Sequence, residues 1–386
     1  MRAATLAVGS MIAVMFMGST LVTPLYSVYA KEFGFSGILL TLIYAAYVIG
    51  NIVSLFFFGG VSDRAGRRRI VLQAMAIALV STALYLFASS TPWLFAARAL
   101  SGFSIGLAAG AGTAWIAELD GAADKTRAAI IAVVSNFAGL ALGPLIAGIL
   151  VEYAPWPLHL PFLIYVALVV ITAVFIARSP ETVSDELTQS ASPPGRTSIG
   201  VPRSIRGRFI APAVTAFTIF SLYGFYFSLA PGVLVESLHE SNRAVGGAVV
   251  FELGLVSAAT IVVTRKLASR ACMRLALGLL LPALALLIGA QAQGSLPLLL
   301  LGTALSGISG GLGYRGSLQV VNQIAPAEQR AGVASAYFMV CFIGNSVPVI
   351  AVAILTRAYN SLIADSVFAV SLAVLALTAL TTAGRR

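Results

Sequence analysis

Three charged residues stand inside long apolar runs: Arg98 in "LFAARALSGFSIG", Glu252 in "GGAVVFELGLVSA" and Arg315 in "GGLGYRGSLQ". A charge at the centre of a bilayer costs at least about 2.5–3.5 kcal/mol on insertion scales, so such residues face a cavity or a partner. Glu252 reads as the only acid well inside a run. A carboxyl shielded from water can hold a proton and release it when the site opens to water. Glu252 is therefore the candidate for coupling to protons, with a structural ion pair as the other reading. Arg98 lies at similar depth in the first half, where it can compete with the proton for Glu252 or anchor backbone carbonyls. Arg315 lies nearer the end of its run. It can bind an anionic group of a small molecule or snorkel to lipid phosphates.

Aromatic residues supply a second kind of chemistry. "FTIFSLYGFYFSLAPG" carries Phe217, Phe220, Tyr223, Tyr226 and Phe227, and "MFMGSTLVTPLYSVY" carries Ser19, Thr20, Thr23 and Tyr26 without an acid. Aromatic pockets with few polar groups suit amphipathic ligands. Tyr26, Phe220, Tyr223, Tyr226 and Arg315 are the candidate substrate-binding residues, against the alternative that the aromatics face lipid or a neighbouring helix. Gly224 and Pro231 predict a break in that aromatic run. Other chemistries find no support. There is no nucleotide-binding G-x-x-x-x-G-K-[ST] loop. His159 and His239 lack metal-ligand company, and Cys272 and Cys341 lack metal spacing and give no reason to infer a disulfide. No enzyme, metal or cofactor is expected.

The elements that must position these residues are membrane helices. Of the 386 residues, 59% are hydrophobic and only 10% charged, against about 45–50% apolar and about 25% charged in a soluble domain. The formal charge of +10 could suggest nucleic acid, but the basic residues cluster between apolar runs without interleaved aromatics, which favours a bilayer. A bilayer core needs roughly 20 apolar residues per helix. Twelve such runs fall near 4–30, 37–60, 70–89, 92–117, 128–152, 159–178, 209–235, 244–264, 273–291, 295–321, 331–356 and 362–383. They do not alternate as barrel strands would. The first run is too long for a cleaved signal and reads as a spanning helix.

Placing the N-terminus in the cytoplasm puts most Lys and Arg residues on the inner side and leaves Lys31, Arg243 and Arg357 outside. Both termini are then cytoplasmic by the positive-inside rule. The longest polar segment, 179–208, is rich in Ser, Pro, Gly and Thr and reads as a cytoplasmic linker. It separates a six-helix bundle at 1–178 from another at 209–386. Its basic end, Arg203 to Arg208, suits anionic headgroups. "ALSGFSIGL" at Ala99–Leu107 and "ALSGISGGL" at Ala304–Leu312 differ at two of nine positions, and each falls in the fourth helix of its half. Pro144 and Pro348 also correspond. Internal repeats of this kind suggest a transporter with its site between the halves.

The short stretch "GGVSDRAGRRR", Gly59 to Arg69, concentrates charge between the second and third runs. Gly59, Asp63, Arg64, Gly66, Arg67 and Arg68 fit G-x-x-x-D-R-x-G-R-R, and here the sequence resembles the major facilitator superfamily. The resemblance covers the whole length. It implies that Asp63 sits at the N-terminal end of helix eleven and that Arg67 pairs with an acid at the inner end of helix four, Glu118 or, failing that, Asp120. Together these residues would hold the inner side closed. The corresponding loop of the second half has Ser269 where an acid is expected. Arg98, Gly102 and Gly106 resemble the family's R-x-x-x-G-x-x-x-G motif of helix four. "GLALGPLIAG" resembles the helix-five motif of proton-coupled exporters, through Gly139, Gly143, Pro144 and Gly148, with Ala147 replacing one Gly.

The expectation is an all-α membrane protein of twelve helices in two pseudo-symmetric bundles. It would be a monomeric secondary transporter of a cell inner membrane, similar to the drug/proton antiporter group. The resemblance implies proton-coupled export of a small amphipathic compound. Proton-linked uptake of a metabolite, and a transporter-like receptor without turnover, are the alternatives.

Overall fold

The computed structural model describes residues 2–58, 61–119, 125–183, 200–326 and 329–383. Twelve helices among these are long and apolar enough to cross a membrane. They are α1 (Ala3–Phe33), α2 (Gly37–Phe58), α3 (Arg67–Leu86), α4 (Thr91–Leu119), α5 (Arg127–Tyr153) and α6 (Leu160–Ala177) in the first half. The second half holds α7 (Arg203–Ser228), α8 (Arg243–Val263), α9 (Ser269–Gln293), α10 (Leu296–Ile324), α11 (Gly332–Ala358) and α12 (Ser361–Leu380). A chain in lipid must satisfy its own backbone, and helices do so within one segment. Some hydroxyls inside the runs bond within their own helix: Thr218 and Ser221 donate to the carbonyls of Val214 and Phe217, each at 2.7 Å.

Local signals set the helix ends. Asn242 caps α8 by accepting from the Ala244 amide at 2.9 Å. Gly294 closes α9 in the left-handed conformation at φ +60°, a region that favours glycine. The α1 span is interrupted at residues 22–25, around Pro24, before the helix resumes at Tyr26–Phe33. The second half repeats this break: α7 ends at Ser228, and a short helix, Ala230–Glu236, follows with Pro231 in its first turn. The break near Pro231 was expected, whereas the one in α1 was not.

The chain divides into two compact units, Met1–Gly195 and Arg196–Arg386. Within the first, α1 packs on α4, α5 and α6, α2 on α4, and α3 on α4 and α6. Within the second, α7 packs on α10, α11 and α12, α8 on α10, and α9 on α10 and α12. The two patterns coincide helix for helix, as the nine-residue repeat anticipates. Large apolar side chains such as Leu6, Ile49, Phe57, Val170, Val263 and Val370 remain exposed, as helices facing lipid require.

Candidate functional site

The charged loop folds into a hydrogen-bonded cluster. A short helix, Ser62–Ala65, is followed by Gly66 at φ +91°, which only glycine adopts readily, and α3 starts at Arg67. Arg67 is 8% exposed. Its Nη1 donates to Ser62 Oγ at 2.6 Å and pairs with Asp63. Its Nε and Nη2 donate to Glu118 Oε1, at the end of α4, at 3.2 and 2.7 Å. This fork of two donors onto one carboxylate is the strong form of ion pairing. Asp63 remains 58% exposed. Arg64 is partly exposed beside it. Gly59 and Asp120 lie outside the described residues.

Two partners of this cluster escaped the sequence reading. Glu181 reaches the start of α3, where Oε1 accepts from the Arg67 amide at 2.9 Å and Oε2 from the Arg68 amide at 3.0 Å. The Thr182 hydroxyl donates to Glu118. Arg68 Nη1 donates to the Ser179 carbonyl at 3.3 Å, and Trp115 Nε1 to the Pro180 carbonyl at 3.2 Å. The residues that follow α6 therefore tie the α2–α3 loop to the end of α4. In sequence they look like the start of a polar tether. Only an acid directly after an apolar run hints at a cap, and its partners lie 114 and 113 residues upstream.

Arg98 lies inside the first bundle, 2% exposed. Its Nη1 donates to the Ser19 carbonyl. The guanidinium stands over the rings of Tyr44 and Tyr47, with centroids 5.3 and 4.8 Å away. The buried hydroxyls of Tyr26 and Tyr85 lie beside it. Among the described residues, no acid forms an ion pair with Arg98. Its charge is met by a carbonyl and by the negative faces of aromatic rings. Tyr26, read as a pocket residue, is thus brought to Arg98 within the bundle.

Glycine brings α5 onto α1. A Cβ on Gly139 would lie 2.1 Å from the Ala13 carbonyl oxygen, and one on Gly143 would lie 2.5 Å from that of Met17. Thr20 Oγ1 donates across the seam to the Leu140 carbonyl at 3.1 Å. Pro144 and Gly148 are buried further along, and α5 continues through Pro144. Small residues at this spacing let two backbones approach closely.

In the second unit, Tyr223 donates to Ser257 Oγ on α8 at 3.0 Å. The Tyr226 hydroxyl meets Thr303 and Ser306 of α10 at 3.2 and 3.3 Å. Both tyrosines are buried. Phe220 is partly buried and packs edge-on against Tyr223 and Tyr314. Arg315 donates through Nη2 to the carbonyls of Arg265 and Leu267, at 2.6 and 3.1 Å, and through Nη1 to Cys272 Sγ. It fastens α10 to the α8–α9 turn. Glu252 is half-buried on α8, and its Oε2 is buried without a hydrogen-bond partner.

A second acid within a span is shielded besides Glu252. Asp365, in the second turn of α12, is 2% exposed. Packing of α12 on α7, α9 and α11 covers it.

Twelve apolar helices in two matching bundles, with a charged cluster at the α2–α3 turn, define a multi-pass membrane protein of the transporter type. The family model described as Major Facilitator Superfamily matches residues 8–349. The chain belongs to that superfamily and is a membrane transporter.

The quinolone resistance protein NorA of Staphylococcus aureus (strain MRSA252) is 26% identical over 225 residues, covering 56% of this chain and 57% of that protein. The chloramphenicol resistance protein CraA of Acinetobacter baumannii is 24% identical over 143 residues, covering 36% of this chain and 34% of that protein. The chain thus spans little more than half the length of these curated relatives at most. Among solved structures, a D-xylose-proton symporter superimposes with a TM-score of 0.78 at 15% identity, over 98% of this chain and 97% of that one. The human organic anion transporter MFSD10 gives 0.72 at 17%, over 98% and 99%. At such identities the likeness is one of fold.

Proposed function

We propose that the protein exports a small amphipathic compound in exchange for protons, by alternating access in a cell inner membrane. The observation that carries this reading is Glu252. A carboxyl inside α8 with a buried, unpartnered oxygen is costly as an anion, and a bound proton removes that cost. Proton binding at Glu252 then stabilises one loaded state, and the substrate replaces the proton. The close α1–α5 seam at Gly139 and Gly143 supports the exporter reading through its likeness to the exporter motif. The names of the two resistance proteins point the same way.

In this reading Asp63, Arg64, Gly66, Arg67 and Glu118 brace the cytoplasmic seal, while Phe220, Tyr223 and Tyr226 contribute aromatic surface. Both termini are cytoplasmic, 179–208 links the bundles 1–178 and 209–386, and the working unit is a monomer without catalytic activity.

The test is substrate-induced proton flux in proteoliposomes, comparing wild type with Glu252→Gln across a small panel of drugs and metabolites. Export predicts protons moving against the substrate in the wild type and not in the variant. Protons moving with the substrate would establish uptake instead. Full proton-driven transport by Glu252→Gln would remove Glu252 from the mechanism, and a folded protein that moves nothing would favour a receptor.

A further inference from the structure

Three helix ends meet at the end of the C-terminal unit opposite the α8–α9 turn. They are the short helix ending at Glu236, the last turn of α9 with Gln291, and the start of α12 with Asp365. The geometry brings them together. Phe225 stacks on Phe368 with ring centroids 5.2 Å apart, which fixes α12 on α7 one turn from Asp365. A Cβ on Gly294 would lie 3.6 Å from the Ser237 carbonyl oxygen, so the segment after Glu236 abuts the end of α9. Asp365 lies near the Gln291 carboxamide and the Glu236 carboxylate.

Three buried polar atoms at this point make no hydrogen bond: Asp365 Oδ2, Gln291 Oε1 and Gln291 Nε2. Asp365 is 2% and Gln291 6% exposed. Leu287, Ala290, Ala364 and Phe368 nearby in sequence are also buried, so the setting is apolar. An unpaired buried charge costs far more than an unpaired neutral polar group. Among the described residues, no basic side chain forms an ion pair with Asp365. The charged side chain facing it is Glu236, of like sign. Arg357, at the end of the neighbouring α11, is exposed. An anionic Asp365 would thus be buried beside another anion. A proton removes the charge and turns the carboxyl into a donor, which the Gln291 carbonyl oxygen can accept from while the amide group donates back.

We propose that Asp365 and Gln291 form a second proton-binding site, separate from Glu252, in which Asp365 is held as the neutral acid. The reaction is simple uptake of one proton by the carboxylate from water at that end of the bundle, where Glu236 is exposed. Nothing else is oxidised, reduced or displaced. The site holds its proton whatever role Glu252 plays, so it stands or falls apart from the proposed antiport.

The experiment is infrared spectroscopy of the full chain in proteoliposomes, in sodium-free buffer near neutral pH. Wild type should show the C=O stretch of a protonated carboxylic acid. Asp365→Asn should lose the contribution of Asp365 to that stretch, and Glu252→Gln should keep it. Gln291→Leu should shift that band, because the acid loses its amide partner; this variant keeps the test available if Asp365→Asn does not fold. A band from Glu252 is recognised by its loss in Glu252→Gln. The absence of any protonated band that responds to the Asp365 and Gln291 variants overturns the proposal. So does a thermal midpoint that rises on adding sodium in wild type but not in Asp365→Asn, since the carboxylate would then hold a metal cation.

Discussion

Replacing Glu181 with Ala tests whether the segment after α6 is bound to the first bundle. The carboxylate accepts from the first two amides of α3, at 2.9 and 3.0 Å, and lies over Gly66, where its Oε2 would be 2.7 Å from a Cβ. The first amides of a helix have no partner within it, and a side chain that caps them contributes about 0.5–2 kcal/mol. The favourable interaction of a carboxylate with the positive helix end belongs to the same contact and is not added again. Glu181 is partly exposed, so water replaces it at the freed amides and holds the loss to about 1–2 kcal/mol. For a unit of this size about 1 kcal/mol moves the thermal midpoint by roughly 2–4 °C, so Glu181→Ala should melt about 2–8 °C lower. Glu181→Gln keeps an acceptor oxygen without the charge and should fall between the two. Added salt should narrow the gap between wild type and Gln. The assay is thermal unfolding of the purified protein in one detergent at two salt concentrations. A midpoint for Ala within about 1 °C of wild type, or Gln indistinguishable from Ala at low salt, refutes the capping argument.

Two further predictions address the loop and the seam. Asp63→Asn removes an ion pair whose acid is 58% exposed, so stability should change by no more than about 1 kcal/mol, while the transport rate in proteoliposomes falls several-fold. Transport at the wild-type rate would end the bracing assignment. Gly139→Ala places a methyl 2.1 Å from the Ala13 carbonyl oxygen and should lower the thermal midpoint and the yield in membranes. Gly110→Ala, where nothing lies within 4 Å, should leave both unchanged or slightly improved; equal behaviour of the two variants would contradict the close α1–α5 approach.

Much of the architecture was legible because lipid imposes a coarse rule on sequence. Long apolar runs must be helices, so the twelve spans could be read directly, and the G-x-x-x-D-R-x-G-R-R pattern located the α2–α3 turn. Even the pairing of Arg67 with Glu118 was anticipated, through the family resemblance. The break in α1 at residues 22–25 was not, because Thr23 and Pro24 sit in an unbroken apolar stretch and hydropathy does not register a change of backbone direction.

What tertiary structure decided is which polar groups meet. Sequence determined that Arg98 and Glu252 lie in spans and that a polar segment follows α6. It did not determine that four tyrosines from three spans surround Arg98, that Arg315 binds the carbonyls of Arg265 and Leu267, or that Glu181 caps α3. Nor did it determine that packing buries Asp365 near Gln291. The physical reason is common to these cases. Hydrophobic burial follows composition averaged over a run and survives small errors of register. A hydrogen bond needs two particular atoms within about 3 Å, and helices distant in the chain satisfy that only once they are packed.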